Sequence, residues 1–449
     1  MRIKLMGVGI IGMAMVGLMC VSQKPSPSKE ANKPNIILIM ADDIGYEAFG
    51  SYGNTNFKTP RIDQMARQGM QFNHCYSQPL CTPSRVKIMT GKYNFRNYHG
   101  FGELDPHETT FAHILKPQGY ATCIAGKWQL RGDEYAPYKA GFDDFHVWQL
   151  TFTSYNERYK NPRVIENGQL KKYTNGEYGP QLHTDFIMNF MEEHQEEPFF
   201  AYYPMALTHR PYVPTPDSKD WDDVEIPGDG NAHNTVSDPK YFKDEVAYLD
   251  NIVGQLIDKT VALGIDDNTL ILFTGDNGTG KGLISQLGDK VVRGAKGSTH
   301  KYGTHVPLIA LWPGTIQAGQ QNDNLIDFSD FLPTIAQATG SELPNSFVSD
   351  GVSFYPQLNG DFSNTRDWNY CYYDPGKEKY PKKVYVQNQE WKLYESGDFF
   401  NVKNDPMELS ALANTDLSQD AIIVIDEFQE VLDRMKKEGE ELKIAMKKG

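Results

Sequence analysis

The stretch NIILIMADD, residues 35–43, is a continuous apolar run that ends abruptly in two carboxylates. An uninterrupted run of this length is typical of a strand that is buried on both faces, as in the centre of a parallel sheet. Ligands of such sheets bind beyond the carboxyl ends of the strands. We therefore expect Asp42 and Asp43 to lie at a functional edge of a parallel sheet.

A second strand of the same kind occurs much later in the chain. NTLILFTGDNG, residues 268–278, is also apolar and also ends in polar side chains, those of Asp276 and Asn277. Because the carboxyl ends of parallel strands meet at one edge, we expect the two polar pairs to converge. Three carboxylates and an amide offer the hard oxygen ligands that Ca²⁺ or Mg²⁺ prefers. Adjacent aspartates alone more often cap turns, but their repetition after two buried strands favours a metal site.

Helical patterns lie between the strands. In TPRIDQMARQGMQF, residues 59–72, Ile62, Met65, Ala66 and Met70 are spaced like one face of a helix. Residues 244–264 predict an amphipathic helix closed by a glycine. This alternation predicts an α/β fold with a large, mostly parallel sheet sandwiched by helices.

The pattern changes near residue 360. Segments such as KKVYVQNQEWKLYE, residues 382–395, are short, aromatic and alternating, and residues 420–442 predict a terminal amphipathic helix. We predict a main domain over residues 34–358 and a small C-terminal α+β subdomain over residues 359–449, with an antiparallel sheet and that helix.

The N-terminus has the features of a targeting segment. Arg2 and Lys4 precede an apolar run that ends at Cys20, too short for a comfortable membrane span and suited to a signal peptide over residues 1–20. Residues 21–33 form a polar linker. We expect an exported protein, either periplasmic, an outer-membrane lipoprotein or extracellular. A membrane tether through a lipidated Cys20 and ordinary signal cleavage remain alternatives.

Composition excludes some classes of function. The chain has 449 residues and a formal net charge of −14, from 44 basic and 58 acidic residues, which argues against nucleic acid as a partner. No CxxC spacing is present, which argues against a zinc site. Four basic side chains nevertheless follow apolar runs or lie in glycine-rich loops, and together they can bind a tetrahedral oxyanion beside a divalent cation: Arg85, Lys127, His209 and Lys296.

Six motifs carry a resemblance to a known family. CTPSR at residues 81–85, followed by a TG pair, is the first, within PLCTPSRVKIMTGKY at residues 79–93. The others, in chain order around it, are ADDIGYEAFGSYG (41–53), GYATCIAGKW (119–128), GDNG (275–278), AKGSTHKYGTHVPLIALWPG (295–314) and FFNVKNDPMELSAL (399–412). With these motifs the chain resembles the type I sulfatase family of the alkaline-phosphatase-like superfamily, from about Pro34 to near its C-terminus.

The resemblance implies a covalent mechanism. Cys81 would be oxidised to formylglycine by a formylglycine-generating or anaerobic sulfatase-maturating enzyme, a transient partner. The hydrated aldehyde would attack sulfur through one hydroxyl, and deprotonation of the other would release sulfate. The resemblance also implies roles for the remaining site residues: Ca²⁺ ligands in Asp42, Asp43, modified Cys81, Asp276 and Asn277; a sulfate clamp in Lys127 and Lys296; Arg85 holding the nucleophile; and His209 as the acid for the leaving oxygen.

Two departures from the family pattern affect the substrate side. Gln129 stands where the family has a histidine that serves as base, and glutamine cannot take a proton; His107, His99 or a water could replace it. In the later loop, Lys301 and His305 stand where the family has glutamate and arginine. We predict the substrate-binding residues to be His99, His107, Gln129, His300 and His305.

The resulting hypothesis is an exported sulfatase, with residues 34–358 as its catalytic domain, that removes sulfate from a sulfated poly- or oligosaccharide. A phosphonate or phosphodiester hydrolase of the same superfamily is one alternative. A non-catalytic protein that binds sulfated glycans is another, with Gln129 marking a decayed site.

Overall fold

The computed structural model describes residues 33–150, 157–224, 237–376, 378–413, 415 and 417–446. The predicted signal peptide and Cys20 lie outside these residues, as does the linker up to residue 32. None of the helices in the described ranges combines the length and apolar character needed to cross a membrane.

The strands are short. In chain order they are β1 (Asn35–Ala41), β2 (Met70–Tyr76), β3 (Ala121–Lys127), β4 (Asp144–Trp148), β5 (Arg163–Glu166), β6 (Gln169–Lys172), β7 (Phe199–Pro204), β8 (Thr269–Gly275), β9 (Ile284–Leu287), β10 (Lys290–Arg293), β11 (His305–Leu311), β12 (Gln320–Asp327), β13 (Asn369–Tyr373), β14 (Lys383–Gln387), β15 (Trp391–Tyr394) and β16 (Phe399–Asn401).

The helices range from single turns to a long terminal helix. They are α1 (Pro60–Gln68), α2 (Cys81–Thr90), α3 (Asn94–Asn97), α4 (Phe111–Leu115), α5 (Ala136–Lys139), α6 (Gly179–Glu193), α7 (Phe242–Leu263), α8 (Lys301–Thr304), α9 (Phe331–Thr339), α10 (Tyr355–Leu358) and α11 (Gln419–Met446).

A ten-stranded sheet organises the larger part of the molecule, in the order β12-β2-β11-β8-β1-β7-β3-β4-β5-β6. Its five central strands, from β8 to β4, are all mutually parallel. The carboxyl ends of these five strands therefore form one continuous edge, which is where a ligand site is expected. The predicted fold class is confirmed.

The two faces of the sheet bury alternate residues of β1. Ile36, Leu38 and Met40 belong to one hydrophobic core cluster, whereas Ile37 and Ile39 belong to another, and all are fully buried. Helices α4 and α9 contribute to the first cluster, and α1, α6 and α7 contribute to the second. Burial on both faces explains why β1 is apolar from its second residue, Ile36, to its end at Ala41.

One helix expectation was wrong in its extent. Helix α1 ends at Gln68, and Met70 begins β2 instead of continuing the helix face. Gly69 lies between them because a Cβ at this position would meet the Ala310 carbonyl oxygen at 2.1 Å. This close approach between chain segments decides where the helix stops.

The C-terminal part contains the predicted antiparallel sheet and terminal helix. Its strand order is β13-β14-β15-β16, and α11 packs on the sheet through Phe428, Val431 and Leu432. Lys87 of α2 donates to Asp327 at 2.8 Å and to the Tyr370 carbonyl at 3.2 Å, so a buried cation joins this sheet to the rest of the fold. The domain boundary at residue 358 stays a prediction.

Candidate active site

The carboxyl-end edge of the parallel strands brings three functional segments together. Asp42 and Asp43 directly follow β1, Asp276 directly follows β8, and Lys127 is the last residue of β3. The backbone ladder continues past the strand ends, because Asp276 N–H donates to the Ala41 carbonyl at 2.8 Å and Asp42 N–H to the Leu207 carbonyl at 2.7 Å. The segment with Asp42 and Asp43 therefore lies next to the segment with Asp276 and Asn277, as predicted.

Helix α2 presents Cys81 to this edge. Cys81 is the first residue of the helix and is 1% exposed. Its Sγ and carboxylate oxygens of Asp42 and Asp276 all lie within 4.8 Å of one another. The other cysteines in the described chain, Cys75, Cys123 and Cys371, are also buried and free of disulfides. Only Cys81 lies at the carboxylate cluster.

Arg85 lies one turn after Cys81 and connects three elements. Its Nη2 donates to Asp276 Oδ2 at 3.3 Å, and its Nη1 donates to the Lys127 carbonyl at 2.8 Å. Burial alone would lower the pKa of Arg85, but Asp276 and Asp42 raise it, so the guanidinium stays charged. A buried, permanently charged arginine fixes α2 relative to the ends of β8 and β3.

The carboxylate cluster fits a hard divalent cation. Asp42 Oδ1 and Asn277 Oδ1 are buried and accept no hydrogen bond from the described residues. Asn277 Nδ2 donates to Asp43 Oδ1 at 2.9 Å, which orients the amide oxygen away from that carboxylate. Unsatisfied oxygens of this kind are costly unless a ligand takes them up. The donor set of carboxylate and amide oxygens is the one that Ca²⁺ prefers.

Two lysines lie over the two adjacent aspartates. Lys127 Nζ lies 2.5 Å from Asp42 Oδ2, and Lys296 Nζ lies 2.5 Å from Asp43 Oδ1. Lys127 comes from the strand end, whereas Lys296 comes from the loop after β10, where its N–H donates to the Thr279 carbonyl at 3.0 Å. The two ammonium groups thus reach the same edge from separate elements.

The electrostatics of the aspartates differ. Burial alone would raise the pKa of Asp42 and of Asp43, but the neighbouring donors and cations, led by Lys127 for Asp42 and by Lys296 for Asp43, together outweigh it, so both pKa values lie below the ordinary range. Burial and the charge of Asp42 raise the pKa of Asp276 to about 8. Arg85 alone therefore does not offset the effects of burial and of the neighbouring negative charge on Asp276.

His209 completes the group and is held by a residue that the sequence analysis missed. His209 Nε2 lies 3.6 Å from Asp43 Oδ2 and its side chain is 23% exposed. Arg158 Nη2 lies 3.2 Å from His209 Nδ1, and the guanidinium lies 4.6 Å from the ring of Trp148. Burial, followed by Lys296 and Lys127, lowers the pKa of His209. No motif marks Arg158 in the sequence, although Trp148, at the end of β4, is a strand-end residue like those above.

The predicted substrate residues lie in three different environments. Gln129 is 6% exposed, has a φ of 52° and leaves its Oε1 without a hydrogen-bond partner among the described residues. His99 lines a cavity of about 440 Å³ beside Trp128 and pairs with Asp105 at 3.4 Å. His107 is exposed on the adjoining loop, where its N–H donates to Asp105.

The two later histidines separate. His300 lines a second cavity, of about 410 Å³, which begins one residue after Lys296. His305 is 2% exposed and stacks on Tyr46 with ring centroids 4.0 Å apart. The fold thus brings His300 to a solvent-accessible cavity and His305 into the protein core, and substrate contact stays a prediction for both.

Comparison with known proteins agrees with this geometry. A family model described as Sulfatase matches residues 34–341. The chain belongs to the sulfatase family. A second model, described as N-sulphoglucosamine sulphohydrolase, C-terminal, matches residues 296–438. This sulfatase is accordingly an enzyme that hydrolyses sulfate esters, as the sequence analysis predicted.

Two curated relatives illustrate the similarity. Arylsulfatase A of Bos taurus is 32% identical over 388 residues, which cover 79% of this chain and 72% of that protein. N-acetylgalactosamine-6-sulfatase of Mus musculus is 30% identical over 362 residues, which cover 72% of this chain and 66% of that protein. The family match and the relatives' names therefore support sulfate-ester hydrolysis as the reaction class.

Solved structures share the fold. The crystal structure of Ps i-CgsB matches with a TM-score of 0.74 at 24% identity, covering 91% of this chain and 93% of that one. The structure of BT4656 in complex with its substrate, D-glucosamine-2-N,6-O-disulfate, matches with a TM-score of 0.73 at 22% identity, covering 91% and 99%. At these identities the likeness concerns the architecture alone.

Proposed function

We propose that this sulfatase removes sulfate from a sulfated poly- or oligosaccharide, using Ca²⁺ and a formylglycine made from Cys81. The observation that carries the proposal is the position of Cys81, whose Sγ lies within 4.8 Å of carboxylate oxygens of Asp42 and Asp276. Lys127 and Lys296 lie on the aspartates at this same cluster. A nucleophile precursor, oxygen ligands and anion-binding cations thus occupy one edge of the sheet.

Calcium would be held by Asp42, Asp43, Asp276, Asn277 and the modified residue 81. When bound, Ca²⁺ and formylglycine supply a hydrated aldehyde whose hydroxyl attacks sulfur as the alcohol leaves. Arg85 orients this residue from one turn along α2, while its other contacts fix the helix to the strand ends. The geometry leaves the nucleophile little freedom to move.

The two lysines would bind the sulfate through their positive charge. Three side-chain cations, Arg85, Lys127 and Lys296, face three carboxylates in the cluster. A divalent cation then leaves the site positive, which suits an anionic ester and the charge that builds on its oxygens during transfer. We assign Lys127 and Lys296 to the sulfate oxygens on this basis.

His209 is the residue best placed to protonate the leaving oxygen. A sugar alkoxide is a poor leaving group, so an acid within hydrogen-bond reach is needed. His209 Nε2 faces Asp43 and the sulfate position, while Nδ1 lies 3.2 Å from Arg158 Nη2 and 2.7 Å from the Arg210 carbonyl oxygen, so contacts at Nδ1 fix the orientation of the ring. Gln129 cannot take up a proton, so His99, His107 or a water would serve as the base for aldehyde regeneration.

The first test is the mass of the tryptic peptide that ends at Arg85, from full-length protein made with a sulfatase-maturating enzyme. Conversion of the Cys81 thiol to the aldehyde lowers the mass by about 18 Da. An aldehyde-trapping reagent guards against hydration, and Cys81→Ala is the matched control. A thiol that persists while a control sulfatase is converted would exclude the covalent mechanism.

The second test identifies the reaction. Matured protein is assayed on matched 4-nitrophenyl sulfate, bis(4-nitrophenyl) phosphate and a 4-nitrophenyl phosphonate, with and without EDTA. We expect the sulfate ester to be the best substrate and EDTA to abolish turnover. Faster hydrolysis of the phosphonate or diester would favour the alternative hydrolase, and sulfated-glycan binding without any turnover would favour the binding protein.

The proposal includes an exported location, which rests on the signal-like residues 1–20. The maturating enzyme would meet the chain before or during export as a transient partner. Labelling with a lipid precursor distinguishes a tether at Cys20 from simple cleavage, because only the tethered form incorporates lipid.

A further inference from the structure

A cavity of about 410 Å³ opens beside the sulfate clamp, between the loop after Lys296 and the C-terminal sheet. Its lining includes Lys281, His300, Tyr373, Lys379, Tyr380 and Lys383. We call this cavity the lysine cleft. It begins at Gly297, the residue next to Lys296, so clamp and cleft share one segment of backbone.

The lysine cleft also contacts the chain segment that precedes Cys81. Gly297 N–H donates to the Pro79 carbonyl at 2.8 Å, two residues before Cys81. Leu80, which directly precedes Cys81, packs in one apolar cluster with Tyr373 of the cleft wall. The wall of the lysine cleft is therefore continuous with the segment that presents Cys81.

The lysine cleft carries an excess of positive charge. The side chains of Lys281, Lys379 and Lys383 are exposed, and none of the three lies within 4.0 Å of a carboxylate oxygen in the part of the chain that the structure describes. Of the two carboxylates in the lining, Glu408 pairs with Lys392 at 2.8 Å, whereas Asp398 accepts from the neutral hydroxyl of Ser396 at 2.7 Å and keeps its negative charge, so the three lysines outnumber it. Three free ammonium groups in one cavity contrast with a chain whose net charge is −14.

Aromatic rings hold the ammonium groups in place. Lys281 Nζ and Lys379 Nζ lie 5.8 and 5.6 Å from the Tyr380 ring centroid, and Lys383 Nζ lies 5.4 Å from that of Tyr394. Tyr373 is 2% exposed, and its hydroxyl is buried with no hydrogen-bond partner among the described residues. Tyr373 thus adds a hydrogen-bonding group to the wall of the cavity whose capacity is not used by the described residues.

We propose that the lysine cleft binds a second anionic group of the substrate, carried on the sugar next to the one that bears the scissile sulfate. The inference rests on the proposed function and narrows its substrate class to saccharides with anions on neighbouring rings. Lysines act as point charges without the fixed fork of arginine, so they accept a sulfate or a carboxylate. The two sources share one chemistry and are separated by the test.

The test is calorimetric binding to full-length, matured, calcium-loaded protein. The cleft variant combines Lys281→Gln, Lys379→Gln and Lys383→Gln. The control variant combines Lys172→Gln, Lys219→Gln and Lys436→Gln, which removes equal charge from exposed lysines elsewhere. The probes are sucrose octasulfate, which carries only sulfates, and a hexagalacturonate, which carries only carboxylates.

We expect the cleft variant to bind at least one probe about ten- to a hundredfold more weakly than wild type, as three exposed charge contacts predict. The control variant should stay within about twofold. A loss with sucrose octasulfate alone identifies a second sulfate, a loss with hexagalacturonate alone identifies a carboxylate, and a loss with both leaves the cleft unselective; each supports the proposal.

Equal affinities of the cleft variant and wild type for both probes would overturn the proposal, as would equal losses in the cleft and control variants. Failure of the proposed function has a separate signature: matured wild type would then release no sulfate from 4-nitrophenyl sulfate, whatever the calorimetry gives. The two failures are therefore distinguishable.

Discussion

Two cavities adjoin the segments that carry the two clamp lysines, and their charged side chains differ in whether they are paired. The cavity beside Trp128, which we call the paired-charge cavity, is lined by Arg131 and Lys139 and by their carboxylate partners, Glu103 at 2.6 Å and Asp133 at 2.5 Å. The lysine cleft contains three ammonium groups that have no carboxylate partner within 4.0 Å among the described residues. Paired surface charges mainly hold loops in position, whereas unpaired ones create a field that a ligand can use.

The two clamp lysines also differ from each other, in side-chain exposure and in the element that carries them. Lys127 is 1% exposed and comes from a strand end, whereas the Lys296 side chain is 19% exposed and comes from a loop beside the lysine cleft. The Lys127 flank therefore lies in the buried part of the fold, and the Lys296 flank lies beside the cavity that we propose to meet the substrate. Two lysines with equivalent contacts to adjacent aspartates can therefore contribute differently to the free energy of unfolding.

Replacing each clamp lysine gives the largest expected effect. Lys127→Met and Lys296→Met should each lower kcat/KM about 10²- to 10³-fold, because each removes a charge that faces the transferring sulfate. In EDTA, Lys127→Met should also lower the free energy of unfolding by about 3 kcal/mol, since it leaves the buried Asp42 carboxylate with only the more distant Arg85, at 3.9 Å, among its salt-bridge partners in the described residues. Lys296→Met should cost much less stability.

Steady-state kinetics and urea titration measure these effects, with Lys139→Met as the exposed control. Equal destabilisation by Lys127→Met and Lys296→Met would contradict this difference between the Lys127 flank and the Lys296 flank. Unchanged kcat/KM in either variant would remove that lysine from the clamp.

Acid should lower the free energy of unfolding through the buried contact between α6 and β4, the strand next to β3. His183 of α6 is fully buried, its Nδ1 lies 2.8 Å from His146 Nδ1 of β4, and burial lowers its pKa to about 4. The unfolded chain takes up the proton near pH 6.5 and the folded chain only near pH 4, so stability is present above pH 6.5 and is lost as pH falls towards 4. The loss from His183 is about 3 kcal/mol.

His183→Asn tests this assignment because asparagine retains a donor near the Nδ1 position and does not titrate. Urea titrations between pH 7 and pH 4.5 should show a shallower loss of stability in the variant than in wild type. His194→Asn, at an exposed histidine that pairs with Glu197, is the control. An unchanged pH dependence in His183→Asn would show that the group responsible lies elsewhere.

Arg158 gives a smaller and more selective effect. Arg158→Gln should lower kcat/KM on a sugar sulfate about tenfold, because the guanidinium positions His209 through Nδ1. The loss on 4-nitrophenyl sulfate should be smaller, since 4-nitrophenolate leaves without a proton. His209→Asn should show the same substrate bias more strongly, and equal losses on both substrates would mean that Arg158 does not act through His209.

The sequence predicted the parts of this molecule that depend on local pattern. The apolar run before Asp42 determined a buried central strand, and a polar pair after each of two such strands was enough to predict their convergence. The α1 boundary at Gln68 was beyond local pattern, because it depends on the approach of the Ala310 carbonyl to Gly69. Long-range backbone contacts of this kind leave no periodic signal.

Side-chain environments were harder to predict than strand ends. His300 and His305 are five residues apart in one loop motif, yet one lines the lysine cleft and the other stacks on Tyr46 in the core. Arg158 reaches His209 across 51 positions of sequence, and nothing in its local sequence distinguishes it from a surface arginine. Such assignments need the tertiary fold.

The smallest effect gives the most direct test of the comparison between the cavities. Arg131→Gln removes a cation whose side chain is 56% exposed and paired with Glu103, so affinity for sucrose octasulfate should change less than about twofold. Lys281→Gln removes an unpaired cation and should weaken the same binding by about threefold at low salt. Calorimetry at 50 and 300 mM salt should show the Lys281 effect shrinking, because screening reduces the attraction. An Arg131→Gln loss as large as that of Lys281→Gln would mean that carboxylate pairing does not separate the two cavities, and that anion attraction is a property of the whole rim of the site.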